Sequence, residues 1–343
     1  MALIVTIILV AGISNGPSMP QAILELKEPV RSLTWTHDHR LLVFTADRVQ
    51  EWPSGRSAGI PPLPEPMFEL PFDVRQSASG TQAIVGDFVI DTKTFKTSKL
   101  EGEAFWDGDE LVRIERDDSY RTYFLRGEQR VLVANGRYVT GLSDDGRYAL
   151  VTSEPPIDRV ETSLMKIDTK SGKGTVVAKF PMSSTDHTKL GRVDYNQKLG
   201  FWLIHSVQVS FMGYQPFIAG SELKQVDLGQ KIGSLETSCA LQWLETGSAW
   251  TFANRRFFEE EQNGSVGLDA RSFDLYNVET RKLIRLIEKI DRWNSNGGKT
   301  DARGDEPAIA TPAIDWQNKR LAYTVQTGSS STVYLLSFSD RVN

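Results

Sequence analysis

The chain has 343 residues, 40% of them apolar and 24% charged, with a formal net charge of −5. That is ordinary globular composition, long enough to bury a large core. No run of Lys and Arg and no basic stripe is present, which argues against nucleic acid as a partner.

At the N-terminus, Met1-Ala-Leu-Ile-Val-Thr-Ile-Ile-Leu-Val-Ala-Gly12 is too short to span a bilayer as a helix but fits the hydrophobic region of a signal peptide. Small residues follow, so cleavage is expected near Gly16 or Ala22, although no Lys or Arg precedes the run. Residues 1–21 are therefore expected to be a leader and residues 22–343 one domain in an extracytoplasmic setting, periplasmic or secreted. No transmembrane anchor is expected once the leader is removed, and no cysteine near the cleavage region offers a lipid anchor.

From there a unit recurs: a tight turn, then a buried apolar strand. Its copies are Asp38-His-Arg-Leu-Leu-Val-Phe44, Ser79-Gly-Thr-Gln-Ala-Ile-Val85, Asp107-Gly-Asp-Glu-Leu-Val112 and Asp145-Gly-Arg-Tyr-Ala-Leu-Val151. They continue with Asn196-Gln-Lys-Leu-Gly-Phe-Trp-Leu-Ile204, Thr246-Gly-Ser-Ala-Trp-Thr-Phe252 and Gln317-Asn-Lys-Arg-Leu-Ala-Tyr323. Gly, Asn and Asp tolerate the positive φ that a short hairpin turn needs. The strands are near-continuously apolar, so both of their faces are covered. A second strand and turn trail most copies, as in Phe88-Val-Ile-Asp-Thr-Lys-Thr94, Met165-Lys-Ile-Asp-Thr-Lys-Ser-Gly-Lys173 and Leu275-Tyr-Asn-Val-Glu-Thr-Arg-Lys282. Each unit thus supplies four antiparallel strands at a mean spacing of about 46 residues, in the range of propeller blades.

The expected fold is all-β, a seven-bladed β-propeller, with six or eight blades also compatible. The last unit, ending in Val333-Tyr-Leu-Leu-Ser-Phe338, lacks a fourth strand, and residues 22–27 are a spare one. Pairing the two would close the ring and remove an exposed edge. Ser143-Asp-Asp-Gly-Arg-Tyr-Ala-Leu-Val151, with Lys166-Ile-Asp-Thr-Lys-Ser-Gly-Lys173 behind it, resembles the WD40-like repeat of TolB-type β-propellers. The resemblance is clear over residues 140–179, looser elsewhere, and departs at Asp144, where that family has Pro. It implies propeller architecture; it implies no particular function, because such repeats are structural.

Four segments read as long loops on one face of the disc: Ser153–Thr162, His205–Ser221, Asn254–Arg271 and Glu288–Pro312. Loops carry binding groups on rigid scaffolds, so the candidate binding residues are His205, Phe211, Tyr214, Arg255, Arg256, Phe257 and Phe258. Arg and aromatic residues are frequent interface anchors. The partner class is a protein, peptide or glycan, and the chain is expected to be a monomer. Arg281–Trp293, with Leu283, Leu286, Ile287 and Ile290 at helical spacing, is a candidate short helix following or replacing an outer strand. Ile60-Pro-Pro-Leu-Pro-Glu-Pro66 reads as a stiff spacer.

Chemical motifs are sparse. His37-Asp38-His39 lacks a third ligand and reads as a solvated turn, and Asp107-Gly-Asp-Glu110 lacks calcium-loop spacing. The only cysteine, Cys239, lies in an apolar strand and reads as an inert thiol. Arg303-Gly-Asp305 and Asn263-Gly-Ser265 carry no expectation of their own. No nucleophile elbow, phosphate loop or dinucleotide fingerprint is present. No catalytic residue, metal or cofactor is assigned. The alternatives to a binding scaffold are an extracytoplasmic hydrolase or lyase with its site at the channel mouth, and a purely structural module.

Overall fold

The computed structural model describes residues 19–63, 74–119, 121–135, 137–142, 148–153, 161–181, 188–196, 198–208, 213–219, 223–226, 228, 236–245, 247–260, 266–293 and 308–342. They form seven four-stranded antiparallel sheets and one terminal helical turn, Ser339–Val342. The first sheet runs from Ser32–Trp35 to Ser57–Gly59, the second from Val74–Gln76 to Thr97–Lys99, and the third from Glu103–Asp107 to Gln129–Asn135. The fourth spans Arg137–Leu142 to Gly174–Pro181, the fifth Thr188–Asn196 to Leu223–Gln225, and the sixth Glu236–Trp243 to Leu283–Trp293. In each, successive strands pair with their sequence neighbours. The seventh sheet comprises Ala308–Asp315, Arg320–Thr327, Ser330–Ser337 and the N-terminal strand Gln21–Leu26.

That last pairing is the expected closure, shifted by one residue. Gln21 faces Leu335, Leu24 faces Val333 and Leu26 faces Ser331, with an irregularity between Ala22 and Leu24. Each sheet packs on the next in chain order, and the seventh returns to the first. The sheets therefore form a closed ring, which leaves none of their broad faces unpaired.

Every interface in the ring has its own apolar cluster. Between the first and second sheets lie Leu42, Phe44, Val85, Phe88 and Ile90; between the second and third, Ile84, Val89, Ala104 and Trp106. Phe105, Phe124 and Val151 join the third to the fourth, and Leu164, Trp202 and Ile204 the fourth to the fifth. Leu203, Leu241 and Ala253 fill the next gap, Phe252, Phe273, Leu321 and Tyr323 the one after, and Leu33, Leu41, Ala322 and Val333 the closing seam. A strand that feeds two such clusters must be apolar at consecutive positions, which is why Leu41–Phe44 is buried along its whole length. Ile60 and Leu63 of the Pro-rich spacer are buried in the first of these clusters.

The candidate helix over Arg281–Trp293 is instead the outer strand Leu283–Trp293. The helix-like spacing has a strand explanation. Phe273 faces Ile287 while Asp274 faces Arg285, so a bulge inserts one residue there. The bulge resets the alternation, and Ile284, Leu286 and Ile287 all reach the same cluster.

Candidate functional site

The two ends of the ring differ. On the turn face, where first strands meet second and third strands meet fourth, the turns are short and tied to one another. Left-handed positions in these turns include Gly80 and Gly108, with His39 and Lys319 taking the same conformation at φ 63° and 53°. At Gly80 a Cβ would lie 2.6 Å from the His37 ring, so the turn of the second sheet requires glycine to meet that of the first. Ala78 N donates to Gly108 O at 2.9 Å, Ser79 N to Asp109 Oδ1 at 2.8 Å, and Asn196 Nδ2 to Ser248 O at 2.7 Å. Two tryptophans at the ends of innermost strands reach back to the preceding sheet: Trp35 Nε1 to Ala313 O at 3.2 Å and Trp106 Nε1 to Arg75 O at 2.8 Å.

In three sheets the turn between third and fourth strands uses one device. Asp91 Oδ1 accepts from Thr94 N at 2.7 Å, Asp168 Oδ1 from Ser171 N at 2.8 Å, and Asn277 Oδ1 from Thr280 N at 2.9 Å. These are Asx turns, in which the side chain replaces a backbone acceptor. In the first sheet Glu51 takes this place, in Glu51-Trp-Pro-Ser54. It is buried and accepts hydrogen bonds from Arg40, Arg56 and Ser54. Burial would raise its carboxyl, but the bonds from Arg56, Ser54 and Arg40 outweigh burial and hold it at about 2.

A second buried carboxylate, Asp315, lies across the closing seam. It takes two hydrogen bonds from Arg320, at 3.1 and 2.5 Å, and one from Asn318 Nδ2 at 2.9 Å. His39 Nδ1 is 3.2 Å from its other oxygen. Burial again opposes ionisation, and the bonds from Asn318 and Arg320 reverse the balance, so this carboxyl also sits below its usual range. Arg320 additionally donates to His39 O at 3.2 Å and stacks over Trp35, its guanidinium carbon 4.3 Å from the ring centroid.

The opposite end is built from hairpins of very unequal length. In the first two sheets the strands have three to five residues. In the sixth, Trp250–Glu260 has 11 residues and Val266–Asn277 has 12. Buried positions occupy the turn-face ends of both strands, Thr251–Arg255 and Arg271–Asn277. Both strands are more than twice as long as any strand of the first two sheets. The fifth sheet also has longer strands, with Phe201–Gln208 paired to Gly213–Ala219.

Three of the four expected long loops are corrected here. Asn254–Arg271 is a paired hairpin in which only residues 261–265 lie outside the described residues. His205–Ser221 contains the end of one strand, residues 205–208, and the whole of the next, Gly213–Ala219, with residues 209–212 and 220–222 outside the described residues. Glu288–Pro312 contributes strand at both ends, and residues 294–307 lie outside. The fourth, Ser153–Thr162, falls largely on residues 154–160, outside the described residues. So do Phe211, the Arg303-Gly-Asp305 and Asn263-Gly-Ser265 tripeptides and the leader through residue 18.

By register, His205 faces Pro216, Tyr214 faces Val207, and Phe257 and Phe258 face Thr237 and Glu236. The side chains of His205, Tyr214, Arg256, Phe257 and Phe258 are outside the described residues. Arg255 is the residue that departs from its expected place: it is fully buried, its guanidinium 3.2 Å from Asp274 Oδ2. Cross-strand polar partners, Ser272 opposite it and Asp274 nearby, let a charged residue sit inside a sheet.

No family model matches the sequence, and no curated protein sequence matches it. Among solved structures, the β-propeller domain of Cps50 (Swd1) from Myceliophteria thermophila superposes with a TM-score of 0.52 at 10% identity, covering 93% of this chain and 99% of that one. A chain of the mitotic checkpoint complex gives 0.50 at 12% identity, over 98% and 99%. The fold is a β-propeller. A putative TolB from Agrobacterium tumefaciens aligns at 12% identity over 90% of each chain, with a TM-score of 0.39. At such identities the likeness is one of fold alone.

What sequence reasoning missed on this propeller is the charge network of the turn face. Glu51 escaped because Glu-Trp-Pro-Ser does not look like the Asp-x-x-Thr turns it replaces. By sequence the His37-Asp38-His39 turn reads as solvated, and Asp38 is exposed, but His39 is half-buried against Asp315 from the far end of the chain. Among the described residues no cluster of three or more His, Cys, Asp or Glu is placed to hold a metal ion.

Proposed function

We propose that this protein is an exported propeller scaffold that captures a protein or peptide partner on the face built by the long hairpins of sheets four to six. Each sheet is one blade in this reading, the fourth carrying a TolB-type repeat. The observation that supports it is the inequality of the strands. Three to five residues suffice to make a sheet of this ring, as the first two sheets demonstrate. The 12-residue strand of the sixth sheet overshoots by about seven residues, some 20 Å of extended chain. Ordering each extra residue costs roughly 1–2 kcal/mol of chain entropy, so a projection of this length needs a return beyond making the ring. The opposite face has its turns hydrogen-bonded together and offers less room for such a role.

His205, Tyr214, Arg256, Phe257 and Phe258 belong to strands of the fifth and sixth sheets and, like Phe211 outside the described residues, are residue types that anchor interfaces. Arg255 serves the interior and drops out of the set. The test replaces Arg256, Phe257 and Phe258 by serine together, leaving Arg255 in place. In affinity capture from the extracytoplasmic fraction of the source cells, the wild type is expected to retain a stoichiometric partner that the variant loses, with Tm moved by no more than about 2 °C. Equal retention by the variant would remove this face from consideration. Export is read from the same fraction: the mature chain should begin upstream of Gln21, because later cleavage would cut into the closing strand. Recovery of the chain only from cytoplasm, still carrying Met1, would overturn export.

A further inference from the structure

Where the seventh sheet meets the first, the turn face sinks into an open depression of about 560 Å³, lined by Asp38, His39, Arg40, Trp52, Pro53, Asn318 and Arg320. It lies at the opposite end of the ring from the long hairpins. It is shallow and open, so a ligand there would keep one face in solvent.

The lining is held rigidly. Half-buried Trp52 meets Trp35 edge to face, centroids 6.4 Å apart and planes at 85°. Arg40 is fixed between Asp38, at 2.8 Å, and Glu51, and also donates to Thr92 O at 3.2 Å. Arg320 is fixed by Asp315 and the His39 carbonyl. Asn318 spends its amide nitrogen on Asp315, which leaves its carbonyl oxygen as an exposed acceptor. Asp38 is exposed as well, its carboxyl held below the usual range: burial opposes this, and bonds from Arg40 and Thr36 prevail.

The charges cancel. Arg40, Arg56 and Arg320 stand against Asp38, Glu51 and Asp315. An incoming anion meets carboxylates, and an incoming cation meets guanidinium groups, so neither gains a net field. What remains is an immobile aromatic plane ringed by planar donors and acceptors in near-equal number. That combination suits a neutral polyhydroxyl ring, whose C–H face packs on an indole while each hydroxyl both donates and accepts. Preorganised polar groups of this kind bind without a further entropic cost of ordering them.

We propose that this seam is a saccharide subsite for one or two neutral sugar units, with Trp52 as the stacking platform and Asp38, Asn318, Arg40 and Arg320 as hydrogen-bonding groups. Because the depression is open, an internal stretch of an oligosaccharide fits it as well as a chain end.

The test is calorimetric titration of the full-length mature protein with maltohexaose, cellohexaose and chitohexaose (fully N-acetylated), and with hexagalacturonate as the anionic comparison. At least one neutral hexasaccharide is expected to bind with a Kd of about 1 mM or tighter, quenching tryptophan fluorescence. Trp52→Ala should weaken it at least about tenfold, and Asp38→Ala and Asn318→Ala about three- to tenfold. Asp38 and Asn318 are both exposed, so their variants should stay folded with only a small loss of stability, and Tm is measured beside each titration. The Arg256, Phe257 and Phe258 triple variant should bind sugar normally, which separates this site from the partner face. Absence of saturable binding by all three neutral sugars, binding undiminished in Asp38→Ala and Asn318→Ala, or salt-sensitive binding of hexagalacturonate alone would each overturn the proposal.

Discussion

Asp274→Ala is expected to lower the free energy of unfolding by about 3–5 kcal/mol, as removal of one member of a buried ion pair does. Both Asp274 and Arg255 have fully buried side chains, and the carboxylate also accepts from Ser272 Oγ at 2.9 Å and faces Arg285 Nε at 3.4 Å. Truncating Asp274 removes the carboxylate that faces the buried Arg255 guanidinium inside the sixth sheet. The pair as a whole need not be stabilising. Burial raises the Asp274 carboxyl above its usual value, and the Ser272 bond and the nearby charges of Arg255 and Arg285 do not fully compensate. The double replacement Arg255→Met with Asp274→Leu is therefore expected to recover most of the loss. Urea denaturation followed by tryptophan fluorescence reads both variants. A single Asp274→Ala variant within about 1 kcal/mol of wild type would show that the ion pair is not what holds this sheet interior.

The same residues explain how far the sequence could be read. The ring was legible because its signals are local and repeated: a turn residue tolerant of positive φ, then a strand apolar at consecutive positions, as in Leu41–Phe44 and, after Gln82, in residues 83–85. Closure was legible because a strand was missing at one end and spare at the other. The hairpins were not. Asn254-Arg-Arg looks like a solvated loop, and only the partner strand, with Ser272 and Asp274, makes it a paired interior segment. The bulge beside Asp274 hid the outer strand in the same way, by giving it the spacing of a helix. The seam was invisible for a different reason. His39 and Asp315 are brought together only by ring closure, and no local pattern encodes a contact between residues so far apart.

The acid limb of the stability profile should depend on Glu51. Its folded-state carboxyl is held at about 2 against an ordinary value of 4.5. A depressed carboxylate contributes stability that is fully present above its unfolded pKa and is lost as pH falls toward the folded one. The window is therefore pH 4.5 down to about 2, and the amplitude for a shift of this size is about 3 kcal/mol. Little discount for solvent is needed on the acceptor, whose side chain is 3% exposed, whereas Arg56 at 51% is screened and Arg40 at 19% carries more of the attraction. Glu51→Gln keeps the shape and removes the charge. It is expected to cost about 2–3 kcal/mol at pH 7 and to flatten the fall between pH 4.5 and 2. Asp38 and Asp315 are depressed in the same direction and titrate in both proteins, so the difference between the two pH profiles isolates Glu51. Asp274, displaced upward, acts with the opposite sign: its raised carboxyl favours the folded state below the unfolded pKa, and that advantage disappears as pH rises through the folded value. Parallel wild-type and Glu51→Gln profiles, with a constant gap from pH 7 to 2, would mean that the glutamate acts through its shape and hydrogen bonds and that its charge contributes nothing.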